Sequence, residues 1–197
     1  MRKIAVVLFI SLFSISTLSA QTGNSKKGKT ESWYTYWGIG YANLNYPNEL
    51  QDLLDYLKDQ DGVSNISMSL DMLGFYWHVK PKTIAGFVIN GAGDRYEVNS
   101  ESMQINQYIY GVSVMHYPGR YFGNGIFLRA DMGLAKIVVT DSDNNSTGSD
   151  NGFGFLLGSG YSFDLGGTRL LVNVNYAIRN VEGEGYKTLG ISLGGLF

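Results

Sequence analysis

The chain has 197 residues, 15 basic against 17 acidic, with no cysteine, 26 glycines, 14 tyrosines and only 3 prolines. The negative balance excludes a nucleic-acid-binding role built on a basic face, and without cysteine neither disulfides nor thiolate metal sites can support the fold. Abundant glycine and tyrosine with little proline suit an all-β protein in which glycine relieves crowding on one face of many strands.

Met1-Arg2-Lys3 is basic, Ile4 to Phe13 is nearly all apolar, and Ser14 to Ala20 is small and polar. This pattern predicts a Sec signal peptide over residues 1–20, with cleavage near Ala20. A membrane anchor would need about 20 apolar residues, and Ser11, Ser14, Ser16, Thr17 and Ser19 interrupt the run. Residues 21–32, polar and carrying Lys26, Lys27 and Lys29, read as a flexible periplasmic leader. The folded domain is expected over residues 33–197.

In the first strand, about Trp33 to Leu44, Trp37, Ile39 and Tyr41 oppose Gly38, Gly40 and Ala42. Bulk outside and glycine inside suit a narrow closed barrel. Leu50, Leu53, Leu54 and Leu57 then follow helical spacing, so one short helix is expected near Pro47 to Lys58, in the first external loop. Its polar face, with Gln51, Asp52, Asp55 and Asp59, is acidic, whereas a helix lying on lipid usually presents a basic one. That favours a cap over the barrel mouth.

A second strand covers about Ser64 to Val79, its alternation blurring through Leu73-Gly74-Phe75-Tyr76-Trp77 as at a bulge or an aromatic girdle. Lys80-Pro81-Lys82 is a tight turn, a third strand runs from Thr83 to Gly93, and Asp94 to Glu101 reads as a polar loop. The fourth strand, Met103 to Tyr117, meets a tight turn at Tyr117-Pro118-Gly119-Arg120. The fifth, Phe122 to Val139, sets Ile126, Leu128 and Met132 against Arg129, Asp131 and Gly133. A polar loop at Asp141 to Asn151 follows, then a sixth strand from Gly152 to Phe163, a turn at Asp164-Leu165-Gly166-Gly167, and a seventh strand from Thr168 to Asn180. Glu182 to Gly185 leads into the last strand.

That strand sets Leu189, Ile191, Leu193 and Phe197 on one face, and Thr188, Gly190, Ser192 and Gly194 on the other. An apolar face for lipid and a small polar face for the lumen is how a membrane-barrel strand reads. The stretch resembles the last strand of the outer-membrane β-barrel family, which ends on Phe after alternating apolar residues; Gly195 departs from that pattern. The resemblance implies that Leu189, Ile191, Leu193 and Phe197 form the signature read by the barrel-assembly machinery. In pattern and architecture the chain past Ser32 resembles the small barrels of the OmpX, OmpW and OmpA-transmembrane-domain type. The expected fold class is therefore all-β: an eight-stranded antiparallel up-and-down transmembrane β-barrel with one short helix. The same resemblance implies a non-enzymatic, envelope-structural or surface-interaction protein of a Gram-negative outer membrane. Its implied partners are outer-membrane lipid, lipopolysaccharide and an external ligand at the acidic loops. A narrow porin-like channel for small or hydrophobic solutes is the alternative, and a lipid A-modifying barrel enzyme comes third.

Candidate interior chemistry centres on Asp71, Arg129, Asp131 and Arg179, all on inward faces with Asn173 and Asn175. In so narrow a lumen buried charges must find partners, so these four are expected to form an ion-pair network that plugs the barrel rather than gates it. His78 and His116 both precede periplasmic turns, away from the external rim where acyl chemistry would need a general base. Asp141-Ser142-Asp143-Asn144-Asn145 resembles the opening of a calcium loop, but Ser146 stands where such a loop needs Gly and Gly152 where it needs Glu. No catalytic residue, metal or cofactor is expected.

Overall fold

Along Arg169–Val181 every second residue, Arg169, Leu171, Asn173, Asn175, Ala177, Arg179 and Val181, is buried, while Val172, Val174, Tyr176 and Ile178 are exposed. A strand's two-residue period produces that division, and most of β1, β4, β5 and β9 shows the same alternation. The computed structural model describes residues 31–99, 101–119 and 121–197; the expected signal peptide and residues 21–30 of the expected leader lie outside the described residues. The elements are β1 (Trp33–Asn45), α1 (Asn48–Lys58), β2 (Ser64–Lys80), β3 (Thr83–Val98), β4 (Glu101–His116), β5 (Gly125–Thr140), β6 (Ser146–Gly148), β7 (Gly152–Asp164), β8 (Arg169–Val181) and β9 (Glu184–Leu196).

All pairings are antiparallel between sequence neighbours, except that β7 passes β6 to pair with β5, and β1 pairs with β9 to close the sheet. Eight strands thus form a barrel, with β6 attached to the far end of β5. Closure leaves no long edge to meet lipid. Trp33 and Leu196 lie at one end, called here the termini end, and α1 lies at the other, the helix end. The exterior is apolar: Trp37, Ile39, Trp77, Phe87, Val112, Leu128, Leu157, Val174 and Ile191 are among its exposed side chains. Among the described residues no helix is long and apolar enough to cross a membrane, and a barrel crosses with its strands.

Several boundaries differ from the sequence expectation. The polar loop expected at Asp94 to Glu101 is mostly strand, because β3 and β4 stay paired from Asp94↔Ile105 out to Val98↔Glu101. Asp94 turns inward there, while Arg95 and Glu97 reach solvent, where water serves them as well on a strand as on a loop. The tight turn expected after Tyr117 is instead a connection over residues 117–124, since β5 starts only at Gly125. Glycines 123 and 125 adopt φ +75° and +97° there, which L side chains avoid. The polar loop at Asp141 to Asn151 holds the short strand β6. The connection before the last strand contracts to Glu182-Gly183, both at positive φ.

The blur in β2 is a bulge. Leu73 has φ +50°, and the register against β3 slips between Met72 and Phe75. One extra residue exchanges the two faces: Asp71 points inward before the bulge, and Gly74 and Tyr76 after it. Further along, β1 and β2 part. Their pairing stops at Gly40↔Ser69, although β1 continues to Asn45 against β9 and β2 reaches back to Ser64 against β3.

Candidate functional site

Among the described residues, polar chemistry is concentrated and sheltered in the lumen, which is filled in layers. At the helix end α1 folds over the mouth. Its Leu54 is fully buried against Leu44, Tyr46, Tyr96, Ile105, Ile137 and Val181, with Leu50 and Leu57 beside it. Helical spacing puts those leucines on one stripe, and the acidic Asp52 and Asp55 stay exposed. Burying a leucine of this kind contributes roughly 1.5–3 kcal/mol. Just below, the Asp94 carboxylate accepts hydrogen bonds from the hydroxyls of Tyr46 (2.9 Å) and Tyr96 (3.3 Å) and from Ser67.

The centre is a charged knot. Arg129, on β5, is fully buried and reaches across to β2, where its Nη1 and Nη2 donate to the two Asp71 oxygens at 2.8 and 2.9 Å. Its Nε also donates to Asp131, two residues along its own strand, at 3.0 Å. Such a fork-to-fork contact suits the planar guanidinium. The carboxylates are further satisfied by neutral donors. Tyr36 donates to Asp71 at 3.2 Å, Asn90 to Asp71 at 2.9 Å, and Ser113, itself bound by Tyr76 at 2.8 Å, to Asp131. Room for the Tyr36 ring comes from Gly194, where an added Cβ would stand 2.6 Å from it, and Gly74 leaves space for the Tyr36 Cβ, 2.8 Å from such an added atom.

Arg179 is equally buried but otherwise placed. Its Nη2 donates to Asn90 Oδ1 at 2.6 Å and its Nη1 to Thr188 Oγ1 at 2.9 Å, with a longer bond to Gln107. Among the described residues no carboxylate pairs with it. The expected four-membered ion-pair network is therefore corrected: Asp71, Arg129 and Asp131 join, while Arg179 rests on neutral groups. Asn90 links the two, accepting from Arg179 and donating to Asp71. The expected asparagines are peripheral, Asn173 donating to Tyr36 at 3.0 Å.

The termini end is stopped by aromatic rings around a third arginine. Tyr34, Tyr117, Phe127, Leu171 and Leu196 are buried together with Phe122 against them, and the buried Arg169 guanidinium lies 4.9 Å from the Tyr34 ring and 5.1 Å from that of Phe122. Cation–π contact of this sort stabilises a desolvated guanidinium. His78 packs on Phe122 at 4.4 Å, and His116 bonds to Thr83 at 3.0 Å, both at this end.

Sequence reasoning misses Asp94, whose polar stretch reads as a loop, and Arg169, although its parity with Asn173 and Arg179 puts it inside. Of the strand signature, Leu189, Ile191 and Leu193 are half exposed on the outer face. Phe197 follows β9, exchanges both backbone hydrogen bonds with Thr35, and lays its ring within 2.5 Å of where a Cβ on residue 195 would stand. That ring explains the glycine at 195. Asp141, at the surface, takes up its own loop: it accepts from the backbone N–H of Asp143 and Asn145 and from the Asn145 side chain. Those bonds, the Asn145 side chain first, hold its carboxyl below the usual carboxylate range.

No protein-family model matches the chain, and no curated protein matches it. Among solved structures it is similar to Neisserial surface protein A, with TM-score 0.53 and 12% identity over 83% of this chain and 96% of that one. The attachment invasion locus protein of Yersinia pestis aligns at TM-score 0.49 and 14% identity over 85% of this chain and 100% of that one. OprG from Pseudomonas aeruginosa aligns at 0.42 and 12%, over 86% and 98%. At such identities the likeness to the Neisserial protein is one of fold. With its apolar belt and polar interior, the chain is a membrane barrel that has the eight-stranded fold of the small outer-membrane barrel proteins.

Proposed function

We propose that the protein resides in an outer membrane as a closed, non-conducting and non-enzymatic barrel with an envelope-structural or surface-interaction role. The observation that carries this reading is the triple closure of the lumen by α1, by the Arg129 knot and by the aromatic stop around Arg169. In this reading the expected signal peptide exports the chain, with cleavage near Ala20. Leu189, Ile191, Leu193 and Phe197 address it to the barrel-assembly machinery, and the apolar belt meets lipid and lipopolysaccharide. The helix end then faces outward, and the Asp141 loop with the acidic face of α1 offers itself to an external ligand. Both imidazoles fall at the opposite, periplasmic end, which supports the non-enzymatic reading.

Planar-bilayer recording of the refolded protein tests the closure: baseline current is expected, and steady unit conductance would overturn it. Lipid A mass spectra from cells with and without the gene should be identical, and a difference would overturn the non-enzymatic reading. A narrow path for small or hydrophobic solutes is the second reading, favoured by the parting of β1 and β2 beyond Gly40 and Ser69. Size-dependent swelling of liposomes would support it over the first.

A further inference from the structure

Three buried polar atoms, Arg179 Nε, Ser69 Oγ and Asn175 Oδ1, have no hydrogen-bond partner among the described residues. All three residues line one cavity of about 10 Å³, together with Asn90, Thr188 and Gly190 among others. Buried polar groups in folded proteins are as a rule satisfied by protein or by ordered water, and a cavity of this size holds one water and nothing larger. The three atoms also select the occupant by their chemistry. Arg179 Nε–H and the Ser69 hydroxyl are donors, whereas Asn175 Oδ1 is an acceptor. An anion would face that amide oxygen, and a cation would face the guanidinium. Asp71, linked to Arg179 through Asn90, already acts on the guanidinium charge. A neutral molecule that both accepts and donates fits all three.

We propose that this cavity is a site for one structural water, which accepts hydrogen bonds from Arg179 Nε and the Ser69 hydroxyl, donates one to Asn175 Oδ1, and so ties β2 to β8. Three bonds are the usual complement of a buried water. The tie crosses the weakest seam of the wall. Ser69 stands on β2 and both Asn175 and Arg179 on β8, with β1 and β9 between them in the sheet. Toward the helix end Ser69 is the last residue of β2 paired with β1, opposite Gly40, and beyond it the two strands separate. The water therefore holds β2 from inside where its pairing with β1 ends. Gly190 of β9 leaves the space: an added Cβ there would meet Ser69 Oγ at 3.5 Å, an ordinary contact. Alanine is thus tolerated at 190 but occupies part of the cavity.

The test uses the detergent-refolded full barrel and two variants, Gly190→Ala, which narrows the cavity, and Ser69→Val, which removes the hydroxyl and fills the same space. A high-resolution crystal structure of the unsubstituted protein should show one density peak about 3 Å from each of the three atoms. Both variants should lack it. Native-state amide exchange at Gly40, on the β1 side of the seam, should be about fivefold faster in the variants, the value expected for losing one hydrogen bond's net contribution. Gly111, in the β4–β5 pair, should exchange as before. If one variant fails to refold, the other decides alone. The absence of the peak from the unsubstituted protein, or its persistence in a variant, would overturn the water site. Unchanged exchange at Gly40, or an equal rise at Gly111, would overturn its role as a tie.

Discussion

Two arginines lie buried in one lumen, on strands whose alternation treats them alike, and they are held in opposite ways. Arg129 is gripped by two carboxylates from β2 and β5, whereas Arg179 has an asparagine, a threonine and a distant glutamine. Removing the first would strand two buried anions; removing the second would leave only neutral acceptors. The difference teaches that sidedness along a strand fixes which residues enter the barrel, but the stagger between strands fixes which of them meet. Asp71 reaches Arg129 across the barrel, not between neighbouring strands.

The contrast can be broken most directly at the knot. Arg129→Met should destabilise the barrel by about 3–5 kcal/mol, read as a lower urea midpoint for the heat-modifiable folded band on gels. Adding Asp71→Asn and Asp131→Asn to that variant should recover most of the loss, since a buried ion group replaced by neutral residues is often tolerated. No recovery would mean that packing around Arg129, not charge, carries the effect. Arg179→Met should cost less, about 1–3 kcal/mol, by the same assay. Equal losses for the two arginines would erase the distinction.

The cap and stop sharpen the point from outside the knot. If they close the lumen independently, Arg129→Ala with Arg179→Ala should still give baseline current in planar bilayers. The smallest effect concerns the surface. Hydrogen bonds hold the Asp141 carboxyl low, so the loop is stabilised above the free carboxylate value of about 3.9. That support disappears as pH falls through the lower folded value. The Asn145 amide resonance should report it, with its midpoint below the free carboxylate value of about 3.9, and Asp141→Asn should abolish the titration.

Much of the barrel was legible because its rule is local. Trp37 against Gly38, or Leu193 against Ser192, needs only the neighbouring residue to declare its face. The same rule put Asp71, Arg129, Asp131 and Arg179 inside and placed Leu54 on the stripe that caps the mouth. What it withheld depends on distance in sequence. The contact of Arg129 with Asp71 spans β2 to β5, and the partnership of Arg179 with Asn90 spans β8 to β3. Asp94 was lost for another reason: a strand that outruns the apolar belt looks, by composition, like a loop. Phe122 reads in the sequence as the start of a strand, but the structure folds it into the stop beside Tyr117.

Leu73 has a consequence for how this chain tolerates length changes. Because its insertion shifts the sidedness of everything after it in β2, the strand is written in two frames, as a gene is around an extra base. Deleting that single leucine would merge the frames into one unbroken alternation, with the carboxylate of Asp71 and the phenol of Tyr76 both still facing the lumen. A substitution at 73 would leave both where they are.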